Sequence, residues 1–183
     1  MKRHILALCL ALTAQATAAD EISDTLQSAL DAYSEGDLKY ALEELEYAKQ
    51  QMLALKTDAL GAFLPDPPEG WTREVNTEMS AGLGMMGGGI GAEAEYRGPD
   101  DSFTLTIMAD NPMIAAMSAM IGNAAAFGAK IERVGREKFM VKDGTVQALI
   151  DNRILVKAEG GATQRMLDLL GGIDFRDLAR FGG

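Results

Sequence analysis

Seven methionines, Met79, Met85, Met86, Met108, Met113, Met117 and Met120, fall within a 42-residue stretch of this 183-residue chain. A thioether is a soft, uncharged donor that keeps its lone pair at acidic pH, so clustered methionines can ligate copper(I). Met113, Met117 and Met120 recur at i, i+4 and i+7, the spacing that sets three side chains on one face of a helix. Met85 and Met86 sit in the run Gly82-Leu83-Gly84-Met85-Met86-Gly87-Gly88-Gly89-Ile90-Gly91, and Met79, Met85 or Met86 would approach that face if the glycine segment folds over it. Two other roles use the same residues. Unbranched, polarisable side chains fill irregular core space, and they also make adaptable surfaces for apolar partners.

Other chemistries lack parts. The glycine run has neither the lysine nor the hydroxyl of a phosphate-binding loop, and a strand rather than a helix is expected after it. Its structural readings are a bulge, a flexible hairpin or a close backbone approach. The carboxylate pairs Asp100-Asp101 and Glu93 with Glu95 read as a solvated turn and a solvent-facing strand face. The one histidine, His4, and the one cysteine, Cys9, lie in a segment expected to be removed, which would eliminate Ser-His-Asp and Cys-His mechanisms. The expectation is therefore no enzyme, no catalytic residue and no cofactor, with copper(I) as the alternative.

That segment, residues 1–18, reads as a signal peptide. Lys2, Arg3 and His4 form a basic start, Ile5 to Leu12 an apolar core too short to span a membrane, and Ala16-Thr17-Ala18 the small-x-small site before a cut at Ala19. The destination is the periplasm or the exterior. A formal charge of −10 becomes more negative once Lys2 and Arg3 leave, which opposes general binding to nucleic acid. After signal removal no segment is long and apolar enough to be read as a membrane span.

Three elements must position the methionines. Residues 19–64 read as an acidic helical hairpin, with ten Asp plus Glu against three Lys. Leu26, Ala29, Leu30 and Tyr33 precede Ser34-Glu35-Gly36-Asp37, after which Leu38, Ala41, Leu42, Leu45, Ala48, Met52 and Leu55 resume the helical period. Ala29, Tyr33, the Gly36-Asp37 turn, Ala41, Leu45 and Ala48 together resemble a single tetratricopeptide-type repeat. That resemblance implies peptide binding or scaffolding, and one isolated unit needs neighbours to bury its apolar faces. Tyr33, Tyr40 and Tyr47, with Met113, Met117 and Met120, are the candidate partner-contacting residues.

Residues 65–70 carry three prolines and read as a linker. Residues 71–183 read as an α+β domain, with Trp71 as its anchor. Strand candidates are Thr72 to Glu78, Ile90 to Tyr96, Ser102 to Met108, Lys130 to Val134, Lys138 to Lys142, Thr145 to Ile150 and Arg153 to Lys157. The economical result is an antiparallel sheet of five or six strands with packed helices. Asn111-Pro112 opens one helix, running to about Ala126, and Ala162 or Thr163 opens another.

Gly70-Trp71, Met86-Gly87-Gly88-Gly89-Ile90, Ala92, Tyr96, the Ser102 to Met108 strand and Asp110-Asn111-Pro112-Met113 make residues 70–170 similar to a group of uncharacterised exported proteins of Gram-negative bacteria. The resemblance implies export and a shared fold. The resulting expectation is an exported protein-interaction or assembly module, partnered by another exported protein or by itself; the alternative is a periplasmic copper(I)-binding protein using Met85, Met86, Met113, Met117 and Met120.

Overall fold

A computed structural model describes residues 5–76, 79, 83, 88–112, 114, 118, 121 and 128–182, with residues 5–19 described by backbone alone. The chain divides into two compact units, Met1–Leu55 and Lys56–Gly183.

The first unit is a helix pair. Helix α1 spans Ile5–Glu35 and α2 spans Leu38–Gly61, so the last turn of α2 already belongs to the second unit. The link between them is set by two residues. Gly36 adopts φ +87°, and its N–H donates to the Tyr33 carbonyl at 3.1 Å while that of Asp37 reaches the Ala32 carbonyl at 2.9 Å. This bond pair satisfies carbonyls left over at a helix end and needs a residue at ease with positive φ. Asp37 then caps α2, its Oδ1 accepting from the Tyr40 N–H at 3.1 Å.

The second unit is built on one antiparallel sheet. Its strands are β1 Thr72–Asn76, β2 Ile90–Arg97, β3 Ser102–Ala109, β4 Lys130–Val134, β5 Glu137–Lys142, β6 Thr145–Ile150 and β7 Ile154–Glu159. They lie in the order β1-β2-β3-β7-β6-β5-β4. The sheet thus has seven strands, not five or six. The edge strands β1 and β4 pair on one side only and leave most of their residues exposed, so they lack the buried alternation that marks an inner strand in sequence. Between β5 and β6 the tight turn Asp143-Gly144 has φ +48° and +75°; between β6 and β7 Asp151-Asn152 has φ +51° and +53° without a glycine. Asp and Asn tolerate this region better than other side-chain-bearing residues.

One face of the sheet carries the core. Ile90, Ala92, Ala94 and Tyr96 of β2 alternate inward, as do Phe103, Leu105 and Ile107 of β3, followed by Phe139, Val146, Ile150, Ile154 and Val156. Helix α3, Thr163–Leu170, contributes Met166, Leu169 and Leu170, and α4, Phe175–Arg180, contributes Leu178. Leu60 and Leu64 join the same core. Asp174 caps α4, accepting from the N–H groups of Arg176 and Asp177 at 3.0 and 3.1 Å.

The proline-rich residues are fastened to this unit by polar bonds. Arg73 Nη1 donates to the carbonyls of Leu64 at 2.8 Å and Pro65 at 2.9 Å, and Tyr96 Oη donates to Pro65 at 2.7 Å. Burial pushes the Tyr96 phenol up to about 12, against the pull of the neighbouring Arg73 charge. Trp71 lies 5.6 Å from the Phe103 ring, and a Cβ at Gly98 would collide with its indole. Gly98 is therefore the residue that lets the tryptophan seat.

Candidate functional site

Met85, Met86, Met113, Met117 and Met120 lie outside the described residues. Around them, Pro112, Ile114, Ser118 and Ile121 are helical, and the Ile114 N–H donates to the Asn111 carbonyl at 3.0 Å. Buried Asn111 turns its side chain back, Nδ2 donating to the Gly88 carbonyl at 2.6 Å. Gly89, at φ +104°, packs so closely that a Cβ would stand 2.9 Å from that of Asn111. At Gly91 a Cβ would meet Met79 Sδ at 2.9 Å. These glycines serve close approach; Met166 belongs to the core, and Met140 is buried on the opposite face of the sheet, in register with Gln147. Among the described residues no group of three or more His, Cys, Asp or Glu is placed to hold a metal ion.

The second face of the sheet carries a polar row. The register aligns Asn76, Glu93, Thr106, Lys157 and Gln147 across β1, β2, β3, β7 and β6. Glu93 accepts from Asn76 Nδ2 at 2.9 Å and from Thr106 Oγ1 at 3.1 Å, while Lys157 pairs with Glu159. Both carboxylates in this neighbourhood thus have partners on the sheet. Of the other expected carboxylates, Glu95 is tied to Arg97, whose second partner is Glu74 at 2.7 Å. Asp101 accepts from the Ala162 N–H at 3.1 Å, at the start of α3.

The helix pair is arranged differently, with small residues inside and large ones outside. Among its described residues up to Leu55, those buried are Thr25, Ala29 and Ala32 in α1 and Ala41 and Ala48 in α2. Thr25 and Ala48 stand equally far along the chain from the Gly36-Asp37 turn, and so do Ala32 and Ala41, which marks an antiparallel seam. Small side chains occupy this seam, and the large ones, Leu and Tyr, stand outside it. Leu42 is 67% exposed, Tyr33 64% and Leu38 59%.

Helical phase sorts the remaining residues into two sides. Leu26, Leu30 and Tyr33 follow the seam of α1 in the direction of the next residue, and Leu38, Leu42, Leu45 and Met52 do the same on α2. Because the helices run in opposite directions, both stripes emerge on the same side. The other side is acidic. There Ser28 Oγ meets Tyr40 Oη at 3.5 Å, and a 360 Å³ depression is lined by Asp24, Asp31, Glu35 and Asp37 along with those two residues.

Of the three tyrosines singled out by sequence, Tyr33 belongs to the apolar side, whereas Tyr40 and Tyr47 project on the acidic side. The leucines and Met52 of the apolar side were not among the sequence candidates. Their signal was present in the four-three-four-three spacing of Leu38, Leu42, Leu45, Lys49 and Met52. It merged with the alanine stripe because Ala41 and Ala48 fall in the same helical period.

No family model, curated protein or solved structure matches the chain. The geometry of the two units is therefore what bears on function. Among the described residues no helix is long and apolar enough to cross a membrane.

Proposed function

We propose that the protein is an exported interaction or assembly module and that the apolar side of the helix pair is its contact surface. One observation carries this reading. Among the described residues, 11 of the 13 exposed large hydrophobic side chains lie in the helix pair, while those buried within Met1–Leu55 are alanine and threonine. Single exposed leucines are ordinary, but a contiguous stripe on two adjacent helices is an unfilled half of a core. The sheet unit supplies the contrast, since among its described residues Val75 and Ile131 on the edge strands are the two of this kind.

The test is site-specific photo-crosslinking in the cells that make the protein. A crosslinker at Leu42 should yield a discrete adduct with a protein, and one at Asp31 on the acidic side should not. Absence of any adduct at Leu42 would overturn the reading. Export is tested on the same material by sequencing the mature N-terminus, which should begin at Ala19.

A further inference from the structure

We infer that the occupant of the apolar side is a second copy of this chain, paired about a two-fold axis so that the two helix pairs form a four-helix bundle. The inference rests on the interaction reading above and names its partner. Three features of the face carry it.

The first is period. Leu38, Leu42, Leu45, Lys49 and Met52 are spaced by four, three, four and three, and Leu26, Leu30 and Tyr33 by four and three. That is the 3.5-residue repeat of a helix-to-helix seam, and it appears in phase on two antiparallel helices. A surface so spaced fits helices, and a helix pair of the same spacing fits it on both of its members. A two-fold contact is self-complementary by construction, so one surface suffices for both partners.

The second is charge. In a chain of net charge −10, two copies meet without acid facing acid only through a surface that is nearly neutral. The apolar side is such a surface. Lys49 is the one charged position in its stripes, and it is paired with Glu46 at 3.2 Å. Asp24, Asp31, Glu35 and Asp37 lie on the opposite side and would turn outward in the bundle. A basic partner would be drawn to that acidic side instead. Lys49 also occupies a seam position where a single polar residue fixes register and the number of helices.

The third is extent. The seven apolar side chains are each 40 to 67% exposed. Together they offer on the order of 700 Å² per copy, close to the ~800 Å² that each partner commits to a standard stable interface.

Sedimentation equilibrium of the purified full chain, with the crosslinking at Leu42, tests this. The expected result is twice the mass of the chain, a dissociation constant raised at least about 100-fold by Leu42→Glu with Leu45→Glu, and no change from Asp31→Lys. Circular dichroism must show the double variant still helical. Should it unfold, the wild-type thermal midpoint decides: it rises with protein concentration for a dimer and is constant for a monomer. A dimer indifferent to Leu42→Glu with Leu45→Glu in the folded variant overturns the inference. A wild-type monomer that crosslinks to a different protein through Leu42 overturns the second copy and keeps the interaction surface. A monomer with no adduct overturns both.

Discussion

The two units of this chain treat large apolar side chains in opposite ways. Among the described residues, the sheet unit buries its large side chains in one core: Tyr96, Phe139, Leu105, Ile107 and Ile154 are fully buried with residues of α3, α4 and the last turn of α2. The helix pair buries alanine and displays leucine and tyrosine. An alanine seam gains little apolar area, and much of the stabilisation available to a helix comes from packing its apolar face. Among the described residues, the first unit leaves its large apolar side chains mostly exposed and the second buries nearly all of its own; on the proposed reading the first unit is half of a packing arrangement.

The contrast is open to attack at several points, the largest first. Phe139→Ala should cost about 3–5 kcal/mol in urea unfolding followed by circular dichroism, because it empties a filled core. A cost below about 1 kcal/mol would show that the sheet core is less complete than its burial indicates. Tyr96 sharpens the same point through pH. Its folded pKa of about 12 lies above the ordinary 10.0, so the folded state holds the proton more tightly. Its stabilising contribution is then fully present below pH 10 and is lost as pH rises toward 12, by roughly 2–3 kcal/mol. The difference in unfolding free energy between wild type and Tyr96→Phe, followed from pH 8 to 12, should shrink or reverse across that window; a constant difference would refute the burial argument.

Smaller effects follow. Gly98→Ala places a methyl group into the Trp71 ring and should cost about 1–3 kcal/mol, with a red shift of the single tryptophan's emission as the indole is displaced. Asp174→Ala removes the acceptor for two N–H groups at the start of α4 and should cost about 1 kcal/mol in the same urea assay. At the bottom of the scale, Leu42→Ala at concentrations low enough to keep the chain monomeric should change stability by less than about 0.5 kcal/mol. A large loss there would mean that Leu42 packs within its own chain, and the comparison between units would collapse.

The sequence was legible wherever a local rule sufficed. Gly36 and Asp37 announced the break between the helices, since few other residues satisfy a helix end at positive φ and then cap the next helix. Phe103, Leu105 and Ile107 announced β3 by alternation, and Ala162-Thr163 marked the entrance to α3. The edge strands were visible as segments, but their membership in the sheet was not, because β1 and β4 bury almost nothing and pairing is a property of the partner strand. Nor could sequence separate Gly98 from other turn glycines. Its necessity comes from Trp71, which packs there from 27 residues earlier in the chain.

The face of the helix pair divides in the same way. Sequence alone determined that α1 and α2 each carry an alanine stripe beside a leucine stripe, because helical period fixes which residues share a side. It could not determine which stripe closes the pair. Only the tertiary structure decided that, by burying Ala29, Ala32, Ala41 and Ala48 and leaving Leu26, Leu30, Leu38 and Leu42 exposed. Turning two antiparallel helices about that seam then placed Leu26, Leu30 and Tyr33 beside Leu38, Leu42 and Leu45 and gathered the acids opposite. A surface of this kind is a relation between two helices, set by the distance and sense of their packing, and neither quantity is written in the period of either one.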